Sequence, residues 1–144
     1  MAHNEVIRLA REAPGLHWRL TGNAGTGDKL AAAVTSHWQN AVTAAFPGRF
    51  IPEHQVGKLG ERIDLVDLVD GIAYELKVSP NNDHFEFYRD IFKVLIARKE
   101  GLVQVTSFCF VCPLAAARRF EKGLRQSVLA LRPTFNLSLS VAAI

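Results

Sequence analysis

Asp64, Glu75 and Lys77 stand in two otherwise apolar runs of RIDLVDLVDGIAYELKV, residues 62–78. Burying any one of them alone costs several kcal/mol, comparable to the whole stability margin of a small domain. They therefore face either water or something charged. Two carboxylates beside an ammonium suit metal-assisted phosphodiester hydrolysis. Carboxylate oxygens are hard ligands that fit Mg²⁺, with Mn²⁺ as a substitute. Such an ion keeps several waters, lowers the pKa of one of them and offsets charge on a scissile phosphate. The lysine can orient the attacking water or neutralise developing charge. The carbonyl of Leu76, between the two functional side chains, is a further candidate ligand.

That chemistry requires the three side chains on one patch. Strand alternation places Glu75 and Lys77 on one face and Leu76 on the other. Asp70-Gly71 is a hairpin signal. A turn there sets Val69 opposite Ile72, Val66 opposite Glu75 and Asp64 opposite Lys77. Cross-strand partners share a face, so Asp64, Glu75 and Lys77 converge within roughly 5 to 8 Å, the reach of direct and diagonal neighbours. Asp67 points the other way. A second turn centred on Lys58-Leu59 brings Glu53 opposite Asp64 as a further carboxylate ligand, whereas a bulge or an odd turn length would flip it away.

The elements around this hairpin follow from periodicity and breakers. Residues 4–13 read as a helix ended by Pro14-Gly15, and LHWRL (16–20) as a short strand. TGNAGTGD (21–28) is glycine-rich but is not a phosphate-binding loop, because Asp28 stands where the lysine should follow Gly27. Asp28 instead caps a helix over 29–46 with Leu30, Val34, Trp38, Val42 and Ala45 inward. RFIPEHQV, RIDLVDLV and IAYELKV form a three-strand antiparallel meander. Asp83 and Glu86 resemble a capping box opening a helix over 84–100, with Phe85, Tyr88, Phe92, Leu95 and Ile96 inward and Glu86, Arg89, Lys93 and Lys99 outward. VQVTSFCFV (103–111) reads as a strand buried on both faces, followed by a helix over 114–131 and the alternating strand FNLSLSVA.

Composition bounds the rest. At 144 residues and 49% hydrophobic content, positions 1–144 form one domain with one good core. No apolar run of secretory or membrane-spanning length is present, which implies a soluble, cytoplasmic protein with no membrane partner. Cys109 and Cys112 are three apart in a strand, so their sulfurs point to opposite faces as core thiols rather than forming a redox or zinc pair. A net charge of +3 suits a polyanionic partner.

Ile63-Asp64, ten intervening residues and Glu75-Leu76-Lys77, set in a helix, three-strand meander, helix, strand order, resemble the PD-(D/E)xK nucleases over roughly residues 28–131. The resemblance implies an α/β, restriction-endonuclease-like fold, a central mixed sheet whose antiparallel three-strand meander is flanked by helices. It implies a Mg²⁺-dependent endonuclease acting on DNA. Asp64 and Glu75 would hold the metal, with Leu76 and Glu53 as further ligands, and Lys77 would assist the attacking water. Two departures stand out. Ile63 replaces the proline of the motif, and the helix before the meander offers His37, Gln39 and Asn40 but no acid beyond its cap.

Lys93, on the helix where such nucleases place substrate contacts, could touch a phosphate, whereas Tyr88 belongs to the apolar stripe. Arg118, Arg119, Lys122 and Arg125 form a basic helix side, either solvated or bound to the phosphate backbone. His54 and His84 flank the site without ligand spacing. Two-strand cleavage favours a homodimer, with FNLSLSVA as an exposed edge for that contact. Two other readings remain open: an inactive DNA-binding or assembly subunit of a larger complex, and an interaction module whose three charges form a surface cluster.

Overall fold

A computed structural model describes residues 2–22, 27–79 and 83–144, apart from the side chains of 83, 84, 124, 125, 127–129, 131 and 132. Two helices, α1 (Ala2–Thr21) and α2 (Gly27–Ala45), precede the antiparallel strands β1 (Phe50–Val56), β2 (Glu61–Asp67) and β3 (Ile72–Leu76). They are followed by α3 (Asp83–Lys99), β4 (Ser107–Cys112), α4 (Leu114–Phe135) and β5 (Ser138–Ala143). The five strands lie in the order β1-β2-β3-β4-β5, with β3, β4 and β5 parallel. The crossovers from β3 to β4 and from β4 to β5 step the same way across the sheet, so α3 and α4 cover the same face. The other face is covered by α1 and α2. The chain is thus an α/β protein with an open mixed sheet between two helical layers.

Each face carries its own core. Phe87 and Val94 of α3 and Phe120 of α4 pack on Val66, Ala73, Phe108 and Phe110, with the Phe87 and Phe120 ring centroids 4.9 Å apart. On the opposite face Val6 and Ala10 of α1 and Trp38 and Val42 of α2 pack on Leu65, Tyr74 and Val111. The buried Trp38 indole donates to the Val6 carbonyl at 3.0 Å, which ties α2 to α1. Cys109 and Cys112 fall in opposite cores and form no disulfide, as their offset predicts.

Four local expectations change. First, α1 does not stop at Pro14-Gly15, and LHWRL is helix rather than strand. Ala2, Val6, Ile7, Ala10 and Ala13 bury one side of the helix ahead of the proline, and that packing outweighs the one backbone hydrogen bond Pro14 cannot donate. Second, α2 begins at Gly27, so Asp28 lies in its first turn, where a carboxylate favours the helix dipole. Its inner side is Val34, Trp38, Gln39 and Val42, with Ala45 exposed. Positions 23–26 of the glycine-rich stretch lie outside the described residues, as does the Asp83 side chain of the expected capping box.

Third, the β2–β3 register is offset by two residues, with Asp67 opposite Ile72, Val66 opposite Ala73 and Leu65 opposite Tyr74. The turn is a four-residue loop over 68–71, and Asp67 makes it so. Its carboxylate accepts the amides of Val69 (2.9 Å) and Asp70 (3.3 Å) and a forked pair of bonds from Arg49 at 2.9 and 2.8 Å. The Asp67 carbonyl accepts the Gly71 amide at 3.0 Å. An offset of two preserves the face of every side chain and changes its partner. The β1–β2 register agrees with the expected turn at Lys58-Leu59.

Fourth, α3 presents a different side to the sheet. Phe87, Asp90, Ile91, Lys93, Val94 and Ala97 are buried, while Phe85, Tyr88, Phe92 and Ile96 are exposed and Leu95 is only partly buried. Lys93, expected on the solvated side, is inside. Among the described residues no helix is long and apolar enough to cross a membrane.

Gly71 has a φ of 65°, and a Cβ there would lie 2.3 Å from the Gln104 carbonyl oxygen. Gly60 has a φ of 81° with open space around it. Gly71→Ala is therefore expected to cost at least about 2 kcal/mol in urea unfolding, and Gly60→Ala about 1. Equal effects would show that the Gln104 contact relaxes freely.

Candidate functional site

The β2–β3 ladder ends at Leu65 and Tyr74, and side chains replace its next hydrogen bonds. Asp64 Oδ2 accepts the Leu76 amide at 2.8 Å, and Glu75 Oε1 accepts the Asp64 amide at 3.3 Å. Each carboxylate is fixed by one oxygen to the partner strand. Beside them, Glu53 breaks the regularity of β1 with a φ of 51°, a left-handed conformation that costs about 1 kcal/mol for a residue with a side chain. Gln39 of α2 spans the gap: its Nε2 donates to Glu53 Oε1 at 2.7 Å and to the Asp64 carbonyl at 2.8 Å. The helix before the meander thus offers an amide that positions two acids, rather than an acid of its own.

These groups form the floor of a cleft of about 320 Å³ between α2 and α3. Its α2 wall is made of the small residues Ala31, Ala32, Thr35 and Ser36, which leave the space open. Its α3 wall is Glu86, Arg89, Asp90 and Lys93. Glu53, Asp64, Glu75, Leu76 and Lys77 all line the cleft, so the convergence expected from strand alternation is present. Continuing the β2–β3 register one pair past Leu65 and Tyr74 sets Asp64 opposite Glu75 rather than Lys77. Leu76 engages Asp64 through its amide.

Lys77 pairs with Glu86 across the cleft. Lys93 does not reach toward solvent: its Nζ lies 2.8 Å from both Glu75 Oε1 and Asp90 Oδ1 and donates to the Arg62 carbonyl at 2.7 Å. Asp90 Oδ1 also lies 3.8 Å from Arg89 Nε, and it has no aligned hydrogen bond. Sequence reasoning missed Gln39, Glu86, Arg89 and Asp90. The signal was present, because 86, 89 or 90, and 93 recur at helical spacing, but a charge stripe reads equally well as a solvated face. Arg118, Arg119 and Lys122 are exposed on α4 and do not line the cleft, and the Arg125 side chain lies outside the described residues. His54 is partly buried on β1, away from the cleft lining, and the His84 side chain is outside the described residues.

Five carboxylates and three cations line the cleft, a formal surplus of two negative charges. Burial, opposed by the Leu76 amide, pushes the Asp64 carboxyl up to about 6. Burial and the neighbouring Asp64 and Asp90 charges raise Glu75 well above the usual carboxylate range, against the pull of Lys93. Burial raises Asp90 as well. Burial alone would lower Lys93, but Glu75 and Asp90 reverse this and hold its ammonium charged. Among the described residues no cluster of three or more Asp, Glu, His or Cys donors forms a ready-made metal cage. Compared with known families, curated proteins and solved structures, the chain matches none.

Two outcomes follow from these charges. Lys93→Met strands Glu75 and Asp90 without their buried counter-charge and is expected to cost about 3 kcal/mol at pH 7.5. Adding Asp90→Asn should recover part of the loss, and an unchanged urea midpoint for Lys93→Met would show that the pair carries no stability. The pH dependence has a definite sign. Asp64 keeps its proton in the folded state up to about pH 6 but only to about pH 4 when unfolded, so this group's stabilisation is lost as pH rises through 6. With EDTA present, calorimetry should give a higher Tm at pH 5.5 than at pH 7.5, and Asp64→Asn should flatten the difference. A Tm that falls on this acidification refutes the assignment.

Proposed function

We propose that the chain is a Mg²⁺-dependent endonuclease acting on DNA, with a site arranged like that of the PD-(D/E)xK nucleases. One observation carries this reading: Asp64 and Glu75 are locked side by side at the floor of a cleft that also contains Lys77 and has two negative charges in surplus. With every carboxylate ionised, that formal surplus equals the charge of one divalent cation. The donor chemistry fits as well, because Mg²⁺ keeps several of its waters and needs only one or two carboxylates rather than a full protein cage. Asp64 and Glu75 would hold it, with the Leu76 carbonyl and Glu53 at its margin. When bound, the ion supplies an activated water and neutralises charge on the scissile phosphate.

The remaining roles belong to the chain's own residues. Lys77, held in the cleft by Glu86, is placed to donate to the attacking water or to the phosphate oxygen that gains charge. Arg89, 47% exposed at the cleft wall, can fork onto a phosphate and orient the strand. Lys93 supports Glu75 from behind and takes no part at the surface. Gln39 fixes Glu53 and the backbone of Asp64.

A second reading has its own observation. Lys93 already supplies a counter-charge to Glu75, and no acid projects from the α2 wall, which would suit a nuclease-like subunit that binds without cutting. Supercoiled plasmid separates the two. Wild type is expected to nick it with Mg²⁺ or Mn²⁺ and not with EDTA, and Asp64→Asn and Lys77→Met should each lower the rate by about 100-fold or more. Metal-independent binding without nicking by the folded protein would select the second reading.

A further inference from the structure

The outward side of α3 carries Phe85, Tyr88, Phe92 and Ile96, with Phe85 74% and Phe92 64% exposed. These residues form a ridge running along the helix from beside the cleft. The charges around the ridge are unbalanced. Arg89 is exposed next to Tyr88 and also lines the cleft, and Lys99 is exposed at the far end. The nearby carboxylates are engaged, Glu86 with Lys77, Asp90 with Lys93 and, at 3.8 Å, with Arg89, and Glu100 with the Gly57 amide. On the same side of the sheet, α4 exposes Arg118, Arg119 and Lys122 against one acid, Glu121. Aromatic faces interleaved with cations suit a polyanion that also has flat apolar surfaces to offer.

We propose that this ridge is a stacking platform for single-stranded DNA, whose unpaired bases lie on Phe85, Tyr88 and Phe92 while the backbone runs past Arg89 at the mouth of the cleft. This rests on the nuclease reading and names its substrate class. Residues three and four apart rise about 4.5 and 6 Å along a helix, more than the roughly 3.4 Å between stacked bases of a duplex strand. The ridge therefore matches splayed nucleotides, as in proteins that bind single strands through aromatic side chains and a basic track. A duplex would offer phosphates to the cations and leave the rings in water. A second copy of the same face is disfavoured, because it would set Arg89 and Lys99 against like charges.

The test is fluorescence anisotropy in EDTA, so that binding is read without cleavage, using labelled oligo(dT) and a duplex of equal length. Wild type should bind the single strand more tightly. Tyr88→Ala/Phe92→Ala should weaken that binding by about tenfold or more while changing duplex affinity little, and Tyr88→Phe/Phe92→Tyr should restore it. Equal affinity of wild type for both ligands overturns the proposal, as does wild-type oligo(dT) binding by the alanine variant. A dimer seen by sedimentation and dissolved by that variant overturns it too, in favour of a protein interface. Ridge-dependent binding with no nicking of any substrate would remove the nuclease and leave the platform, whereas nicking with ridge-independent binding would do the reverse.

Discussion

The β2–β3 ladder stops one residue pair short of the cleft, and the carboxylates of Asp64 and Glu75 take the place of its next backbone bonds. Much of the surrounding structure answers to this substitution. Carboxylates in a ladder position are necessarily drawn into the protein, where burial raises the proton affinity of both and the Asp64 charge raises that of Glu75 further. The fold compensates unequally. From the α2 side comes only the neutral amide of Gln39, and from the α3 side comes the ammonium of Lys93. The site is thereby held together while keeping an excess of negative charge facing the cleft.

The other end of the same hairpin shows what full compensation looks like. Asp67 is completely buried, and burial alone would raise its pKa, but the Arg49 fork and the Val69 and Asp70 amides win and hold it below its ordinary value. Asp67 thus stabilises the loop in its ionised form, whereas Asp64, raised to about 6, opposes folding when ionised. Two aspartates three residues apart on one strand have opposite thermodynamic signs. A group kept ionised at a cost to the fold is the kind of residue found at functional sites, while one stabilised from every direction serves structure.

The sequence made the faces legible and the partners less so. Alternation alone assigns Asp64, Glu75 and Lys77 to one side and Asp67 to the other, and it survives a register offset of two because the period is two. The offset itself turned on Asp67 capping a four-residue loop, a side-chain interaction that competes with the Asp70-Gly71 turn signal and has no periodic signature. Pro14 illustrates the same limit from another direction. A breaker states a local cost, and the buried side of α1 ahead of it was large enough to exceed that cost. The Glu53 register was readable because β1 and β2 are joined by the turn their glycines indicate, but its left-handed backbone and the bond its carboxylate accepts from Gln39, fourteen residues away, have no periodic signature.

The orientation of α3 is where apolar periodicity gave the wrong answer, and the energetics explain why. Two apolar stripes compete on this helix: Phe85, Tyr88, Phe92 and Ile96 on one side, and Phe87, Ile91, Val94 and Ala97 on the other. Burying a large apolar side chain stabilises by about 1.5 to 3 kcal/mol, so the two orientations differ by little more than one or two such groups. Charge then decides. Only the second orientation turns Asp90 and Lys93 toward Glu75, and a buried carboxylate left without its cation costs about 3 to 5 kcal/mol. The ion pair wins, and the aromatic stripe it displaces is left on the surface beside the mouth of the cleft. The exposed ridge is thus a direct consequence of buried charge at the site, so the same lysine that completes the floor of the cleft also fixes the surface along which a strand could approach it.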